Sequence, residues 1–466
     1  MSEEIDKKIV LLIAVLTSFI VPFMVSSINI ALPTIGKEFQ MGAILLSWIA
    51  TAYIMTSAML TIPFGRLADI HGRRKIFILG LFGYAVSSLL CGLSLNPYFL
   101  IAFRVLQGIA GSMIFATNIA ILTSISPPQE RGKVLGLGVS STYAGLSAGP
   151  FLGGYITYYL GWRAIFFIGA FLSLFLALLS SKRVKVEWAE AKGESFDVPG
   201  FLLYSGLIVF TMYGFSHITE NEGKVFLFLG MLLLGVFLWW ETKVKDPLLN
   251  VSLFRSNRVF TFSSLAALIH YSATFAVTFL LSLYLQYMKG LNPRVAGSVL
   301  IFQPLMMSLL SPFAGKLSDK KEPRIIASLG MGVTACGLFL LSFIDGETQI
   351  KYIIGSLIVL GIGFAFFSSP NTSAIMGSVE RKLYGVASGM VATMRLIGQM
   401  FSMGIVMLVF SLHIGRVQIT PDKYPYFLIS LKQLFLIFTV LCLLAILASL
   451  ARGNLRLAQE GDWDGS

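Results

Sequence analysis

The chain reads as long apolar runs separated by short polar stretches. Fourteen runs stand out, at 8–34, 44–64, 76–95, 98–125, 134–158, 164–181, 199–217, 224–241, 258–287, 294–314, 324–344, 351–377, 385–412 and 427–451. Most reach about 20 residues, enough at ~1.5 Å per residue for a bilayer core about 30 Å thick. Such runs predict helices, because lipid offers no partner for open backbone groups, whereas a membrane barrel would show short alternating strands. The first run exceeds the ~7–15 apolar residues of a signal peptide and lacks a small-residue cleavage site, so it is expected to remain a span. An even number of crossings puts both termini on one side.

Two polar punctuation marks recur. PFGRLADIHGRRK, Pro63 to Lys75, ends the second run, and PFAGKLSDKKEPR, Pro312 to Arg324, ends the tenth. A second echo follows in the same order: SPPQERGKVLG from Ser126 leads into the fifth run, and SVERKLYGVASG from Ser378 into the thirteenth. Paired echoes predict duplicated six-helix bundles at 1–183 and 258–451. Between them, residues 184–257 form a polar linker and an inserted hairpin of spans seven and eight, and 452–466 form a polar tail. The predicted fold class is an all-α integral membrane protein of fourteen spans.

Composition agrees, with 56% hydrophobic and 12% charged residues against roughly a quarter charged in soluble domains. Of the 35 Lys and Arg, 24 fall on the side of the termini, 8 on the other and 3 within spans. This bias predicts cytoplasmic termini in a cell membrane. It also accounts for the net charge of +12 through topology and anionic lipid, with no nucleic-acid footprint. Cys91, Cys336 and Cys442 lie in apolar runs and read as buried packing residues. No paired carboxylates, nucleophile triad or metal-ligand cluster is visible, so neither an enzyme nor a metal or cofactor site is expected.

In the first loop, Gly65 and Asp69 lie four apart on one helical face, and Gly72 breaks the turn before Arg73. A carboxylate at the membrane rim can bond the free N–H groups of a helix start, worth ~0.3–1 kcal/mol. That suits a latch between two conformations, although basic residues there also serve orientation alone. GRLADIHGRRK resembles the loop motif of the major facilitator superfamily. RVLQGIAGS from Arg104, GLSAGPFLGG from Gly145 and GWRAIFF from Gly161 resemble its fourth-, fifth- and sixth-span motifs. With NIALPTIG from Asn29, the nearest subgroup resembled is the fourteen-span drug:proton antiporters. The resemblance implies the major facilitator fold, with Asp69 latched to the start of the span near Gly385 in the outward-facing state and Arg73 in the same charge network. Gly315 and Asp319 repeat the latch, but Glu322 and Pro323 interrupt their basic run. Gly145, Gly149, Gly153 and Gly154 clear one face for close helix contact, and Pro150 bends the helix. The family associates this motif with exporters and antiporters.

Polar groups within spans are functional candidates by default. Arg104, Gln107, Tyr143, His270, Gln303, Arg395 and Gln399 fall at depths from which they could face a central cavity, and Asn29 lies toward the outer end of span one. The resemblance links Arg104 to proton coupling and Arg395 to substrate or gating; the alternative is structural hydrogen bonding. His270 suits proton exchange or neutral packing; Gln303 precedes Pro304 on a kinked helix; Asn29 reads as a brace. The subgroup's first-span Asp is absent, and Met24 takes its place. An acid-poor cavity with two arginines favours neutral or anionic substrates. The expected function is export of a small amphipathic organic molecule by alternating access in exchange for protons, by a monomer surrounded by lipid. The alternatives are an uncoupled or anion-exchanging carrier and a non-transporting sensor or scaffold.

Overall fold

A computed structural model describes residues 2–125, 131–249, 251–379 and 384–453. Parts of both sequence echoes (126–130 and 380–383), most of the tail (454–466) and the side chain of Asp319 lie outside what is described. Among the described residues the secondary structure is helical, with no strand.

The first half consists of α1 (Ser2–Glu38), α2 (Ala43–His71), α3 (Arg73–Gly92), α4 (Pro97–Ser124), α5 (Arg131–Leu160) and α6 (Arg163–Arg183). The hairpin is α7 (Val198–Ser216) and α8 (Asn221–Glu241), followed by the short α9 (Val251–Ser256). The second half runs through α10 (Arg258–Thr274), α11 (Ala276–Leu283), a π turn (Tyr284–Met288), α12 (Pro293–Leu300), α13 (Phe302–Lys320), α14 (Pro323–Leu341), α15 (Ile350–Gly377), α16 (Tyr384–His413) and α17 (Tyr424–Ala451). Thirteen stretches among the described residues are long and apolar enough to cross a membrane. The fourteenth crossing is α5, 30 residues long and rich in Gly and Ser.

Local chemistry sets several helix starts. Asn96 caps α4 and Asn292 caps α12, each side-chain oxygen accepting the N–H three residues on (3.0 Å) ahead of a proline in the first turn. Two expected spans are interrupted. The run 294–314 breaks at Ile301, where Pro304 lacks the N–H that would bond one turn back. The run 258–287 breaks at Phe275, where the Ala276 N–H donates to Ser402 Oγ on α16 (3.1 Å).

Within the first half α1 packs on α5, α2 on α4, and α3 on α4 and α6; within the second, α14 packs on α15 and α17, α10 on α16 and α17, and α13 on α15. Helices α7 and α8 pack mainly on each other, with α7 also touching α2 and α16. Cys91 and Cys442 are buried, but Cys336 is exposed on α14. Its expected burial is corrected, because one face of α14 has no neighbouring helix to cover it and an apolar residue there is at home in lipid.

The α5 glycines serve two faces rather than the single face their spacing suggested. A Cβ at Gly145, Gly149 or Gly153 would meet Phe19, Ser26 or Ser27 of α1 at 2.3, 2.4 and 2.7 Å. Gly154 sits one residue further round and faces the other half, where a Cβ would meet the Pro293 carbonyl at 2.5 Å. Gly297 of α12 answers it, since a Cβ there would fall 2.1 Å from the Pro150 carbonyl. Ala43 N–H to Val417 O (2.9 Å), Gln286 Nε2 to Ile30 O (2.9 Å) and Gln418 Nε2 to Gln40 O (2.7 Å) also cross between the halves on this face, away from the termini. The halves are therefore closed on the face opposite the termini.

Candidate functional site: a central cavity above two clefts

On the terminal face the halves separate. One cleft of 640 Å³ lies between α2 and α4 on one side and α16 on the other; a second of 600 Å³ lies between α5 and α13 with α15. Above them, between the halves, is a central cavity of 110 Å³. Phe115 lines both the cavity and the first cleft, and Tyr143 both the cavity and the second, so single rings part these spaces. Tyr143 Oη bonds Ser368 Oγ across the halves, and Ser147 Oγ donates to the Pro304 carbonyl (2.9 Å). A cavity this small excludes a drug-sized molecule, which needs about 300 Å³ or more. Loading from the terminal face requires Phe115 or Tyr143 to swing aside.

The structure brings Asn29, Tyr143, Gln303, Arg395 and Gln399 together in the cavity wall. Asn29, expected as a brace, is buried but faces the cavity. Arg395 and Gln399 are one turn apart on α16, and no carboxylate pairs with Arg395 among the described residues. Tyr53, Phe115, Tyr271, Phe275 and Phe364 supply the aromatic surface. Sequence reasoning missed these five, since an aromatic within an apolar span gives no sign of which way it faces.

Arg104 and Gln107 stand behind this wall. The buried Arg104 guanidinium lies 4.3 Å from the centroid of the Tyr53 ring, donates from Nε to the Ile49 carbonyl (3.0 Å) and bonds Gln107, which donates to Ser88 Oγ (2.7 Å). Its charge is met by dipoles and a π face, with no carboxylate in contact among the described residues. His270 is elsewhere. It is fully buried beside Phe367 (3.9 Å between centroids) and Phe364, and neither ring nitrogen has a partner among the described residues.

At the terminal face, Asp69 accepts from Arg73 Nε (2.8 Å), and Arg73 also grips Glu190 with both terminal nitrogens (2.8 and 2.9 Å) and Ser124 Oγ (2.9 Å). Glu187 accepts from the Arg74 N–H (2.9 Å), and Arg66 pairs with Glu194. The linker thus clasps the loop motif through acids at 187, 190 and 194, whose spacing opposite a basic loop was the available signal. Asp69 faces the same cleft as Val386 and Ser388 of α16, and the halves are apart there. A Cβ at Gly65 would make only ordinary contact with Ala116 (3.9 Å), while one at Gly315 would lie 2.9 Å from Ser369 Oγ.

Gly72 needs to be glycine twice over: its φ is +116°, and a Cβ would fall 2.3 Å from Glu187 Oε1. Gly72→Ala is expected to cost about 1–3 kcal/mol of stability and to free Glu187 from the Arg74 N–H. A lowered melting midpoint together with easier proteolysis of the 184–197 linker checks this; an unchanged melt refutes it.

A model of the Major Facilitator Superfamily matches residues 14–403. The chain belongs to this superfamily. Its activity is transport across a membrane rather than catalysis. This facilitator is similar to the riboflavin transporter RibZ of Clostridioides difficile (strain 630), with 31% identity over 393 residues, 84% of this chain and 85% of that protein. It is similar to the tetracenomycin C resistance and export protein of Streptomyces glaucescens, with 28% identity over 410 residues, 85% and 74% of the two chains. It also resembles the multidrug resistance protein Stp of Mycobacterium tuberculosis (strain CDC 1551 / Oshkosh), at 26% over 377 residues, 80% and 70% of the two. Among solved structures, a POT family transporter in complex with 5-aminolevulinic acid superposes with a TM-score of 0.70 at 15% identity, over 94% of this facilitator and 95% of that chain. A bacterial homolog of the human lysosomal transporter Spinster, in an inward-facing and unoccupied conformation, gives 0.68 at 14% identity over 96% and 97%.

Proposed function

We propose that this facilitator exports a small, neutral or anionic aromatic amphiphile by alternating access in exchange for protons, with its termini in the cytoplasm. The observation that carries the charge preference is Arg395, a cation without a carboxylate partner among the described residues, in a wall of aromatic rings and amides. Aromatic faces take a planar solute by stacking, and Asn29, Gln303 and Gln399 orient its polar edge. A lipophilic cation would meet repulsion from Arg395 with no acid to offset it. For the proton, Arg104 supports coupling: it sits one ring behind the cavity, so a solute that displaces Tyr53 also disturbs the guanidinium.

The riboflavin transporter among the relatives favours a second reading of the cargo. A planar, uncharged, polyhydroxylated vitamin suits the same rings and amides.

The test is transport in proteoliposomes with an imposed pH gradient and an internal pH dye, using cationic, neutral and anionic amphiphiles and riboflavin. Proton flux evoked by neutral or anionic compounds, and lost in Arg104→Ala, is the expected result. Flux evoked by lipophilic cations would overturn the charge preference. Substrate movement without proton flux would overturn coupling and leave a facilitated carrier.

A further inference from the structure

Only two carboxylates are buried among the described residues, Asp197 and Glu241, at 6% and 3% exposure. Both sit at the base of the α7–α8 hairpin, far along the chain from every cavity residue. Asp197 caps α7: Oδ1 accepts the Gly200 N–H (3.0 Å), and both oxygens accept from the Trp240 indole (3.1 and 3.2 Å). Glu241 Oε2 accepts the Leu249 N–H (2.8 Å), but Glu241 Oε1 has no hydrogen-bond partner among the described residues. The partnerless oxygen lies close to the other acid. A Cβ built on Gly200 would touch Asp197 Oδ2 at 2.1 Å and Glu241 Oε1 at 2.8 Å, so both oxygens crowd the space over that glycine.

Two buried carboxylates side by side cannot both stay ionised without a cation between them, and a shared proton satisfies the orphan oxygen. The cations at hand are engaged or turned outward. Lys243 and Lys245 are exposed, and Arg66 is held by Glu194 with Asp246 at 3.7 Å. Asp246 also accepts from Ser195 Oγ (3.0 Å). On α7, the buried Tyr204 hydroxyl is spent on the Ala58 carbonyl (3.0 Å).

We propose that Asp197 and Glu241 form a proton-binding pair, with the proton on Glu241 Oε1 donated to Asp197 Oδ2, which makes the hairpin base a pH sensor separate from the transport cavity. Proton loss leaves two adjacent negative charges and pushes Glu241 from Asp197. Glu241 holds Leu249, and Ser195 and Glu194 connect the same base to Asp246 and the loop-motif residue Arg66. A rise in pH on the terminal face therefore loosens the clasp on that motif.

The sign follows from linkage: the folded protein holds the proton more tightly than the unfolded chain, so stability is present at low pH and lost as pH rises. The test uses the full-length protein in detergent and needs no substrate. Wild type is expected to lose melting temperature as pH rises above the unfolded carboxyl range, from about pH 5 upward, with Glu241→Gln, which mimics the protonated form, losing much less. Equal slopes in the two proteins overturn the proposal. If Glu241→Gln does not fold, infrared spectroscopy of wild type decides: a protonated-carboxyl band near neutral pH that shifts in Asp197→Asn supports the pair, and no such band overturns it.

Discussion

Gly297→Leu is expected to reduce transport more than about tenfold while leaving a folded, membrane-inserted protein. A Cβ at Gly297 would fall 2.1 Å from the Pro150 carbonyl, and one at Gly154 beside it would fall 2.5 Å from the Pro293 carbonyl. Both obstacles are backbone, so no rotamer change relieves them, and the cost is overpacking of at least about 1–3 kcal/mol. That penalty applies only where α5 and α12 touch, in the state closed away from the termini. The open state escapes it, so the equilibrium shifts by about tenfold per ~1.4 kcal/mol. Gly355→Leu is the control, since a Cβ there meets nothing within 4 Å. Substrate flux, together with labelling of a cysteine introduced at Gln418, reads the outcome: slow flux with increased labelling is expected. Normal flux in Gly297→Leu would mean that the seam does not close during the cycle.

Arg395→Gln is expected to weaken binding of anionic substrates by about 10- to 150-fold, the loss of one hydrogen bond to a charged group at ~1.5–3 kcal/mol, and of neutral ones by far less. The side chain lines the cavity one turn from Gln399, and no carboxylate pairs with it among the described residues. Removing it therefore leaves no acid without its partner. Binding titrations with a matched anionic and neutral pair of compounds measure the split. Equal losses for both compounds would show that Arg395 braces the wall rather than reading charge.

The sequence by itself determined the helices and their class. Apolar runs of membrane length and the Gly72 break act locally, so they were legible without tertiary contacts. Rotation about each helix axis was not legible. Lipid and protein core are both apolar, so periodicity that marks the buried face of a soluble helix is weak here.

For that reason His270 and Tyr271, neighbours in sequence, part company: Tyr271 lines the cavity and His270 lodges against Phe367. Arg104 stands behind Tyr53 rather than in the wall, and Cys336 faces outward. The glycines of α5 divide between α1 and α12, although their spacing alone suggested one partner. The spacing of the linker acids Glu187, Glu190 and Glu194 hinted at a basic partner, but folding decided that they meet the Arg74 N–H, Arg73 and Arg66 respectively. Which residues meet across the two halves was decided only by tertiary packing, because those contacts join segments more than a hundred residues apart and leave no local signature in either.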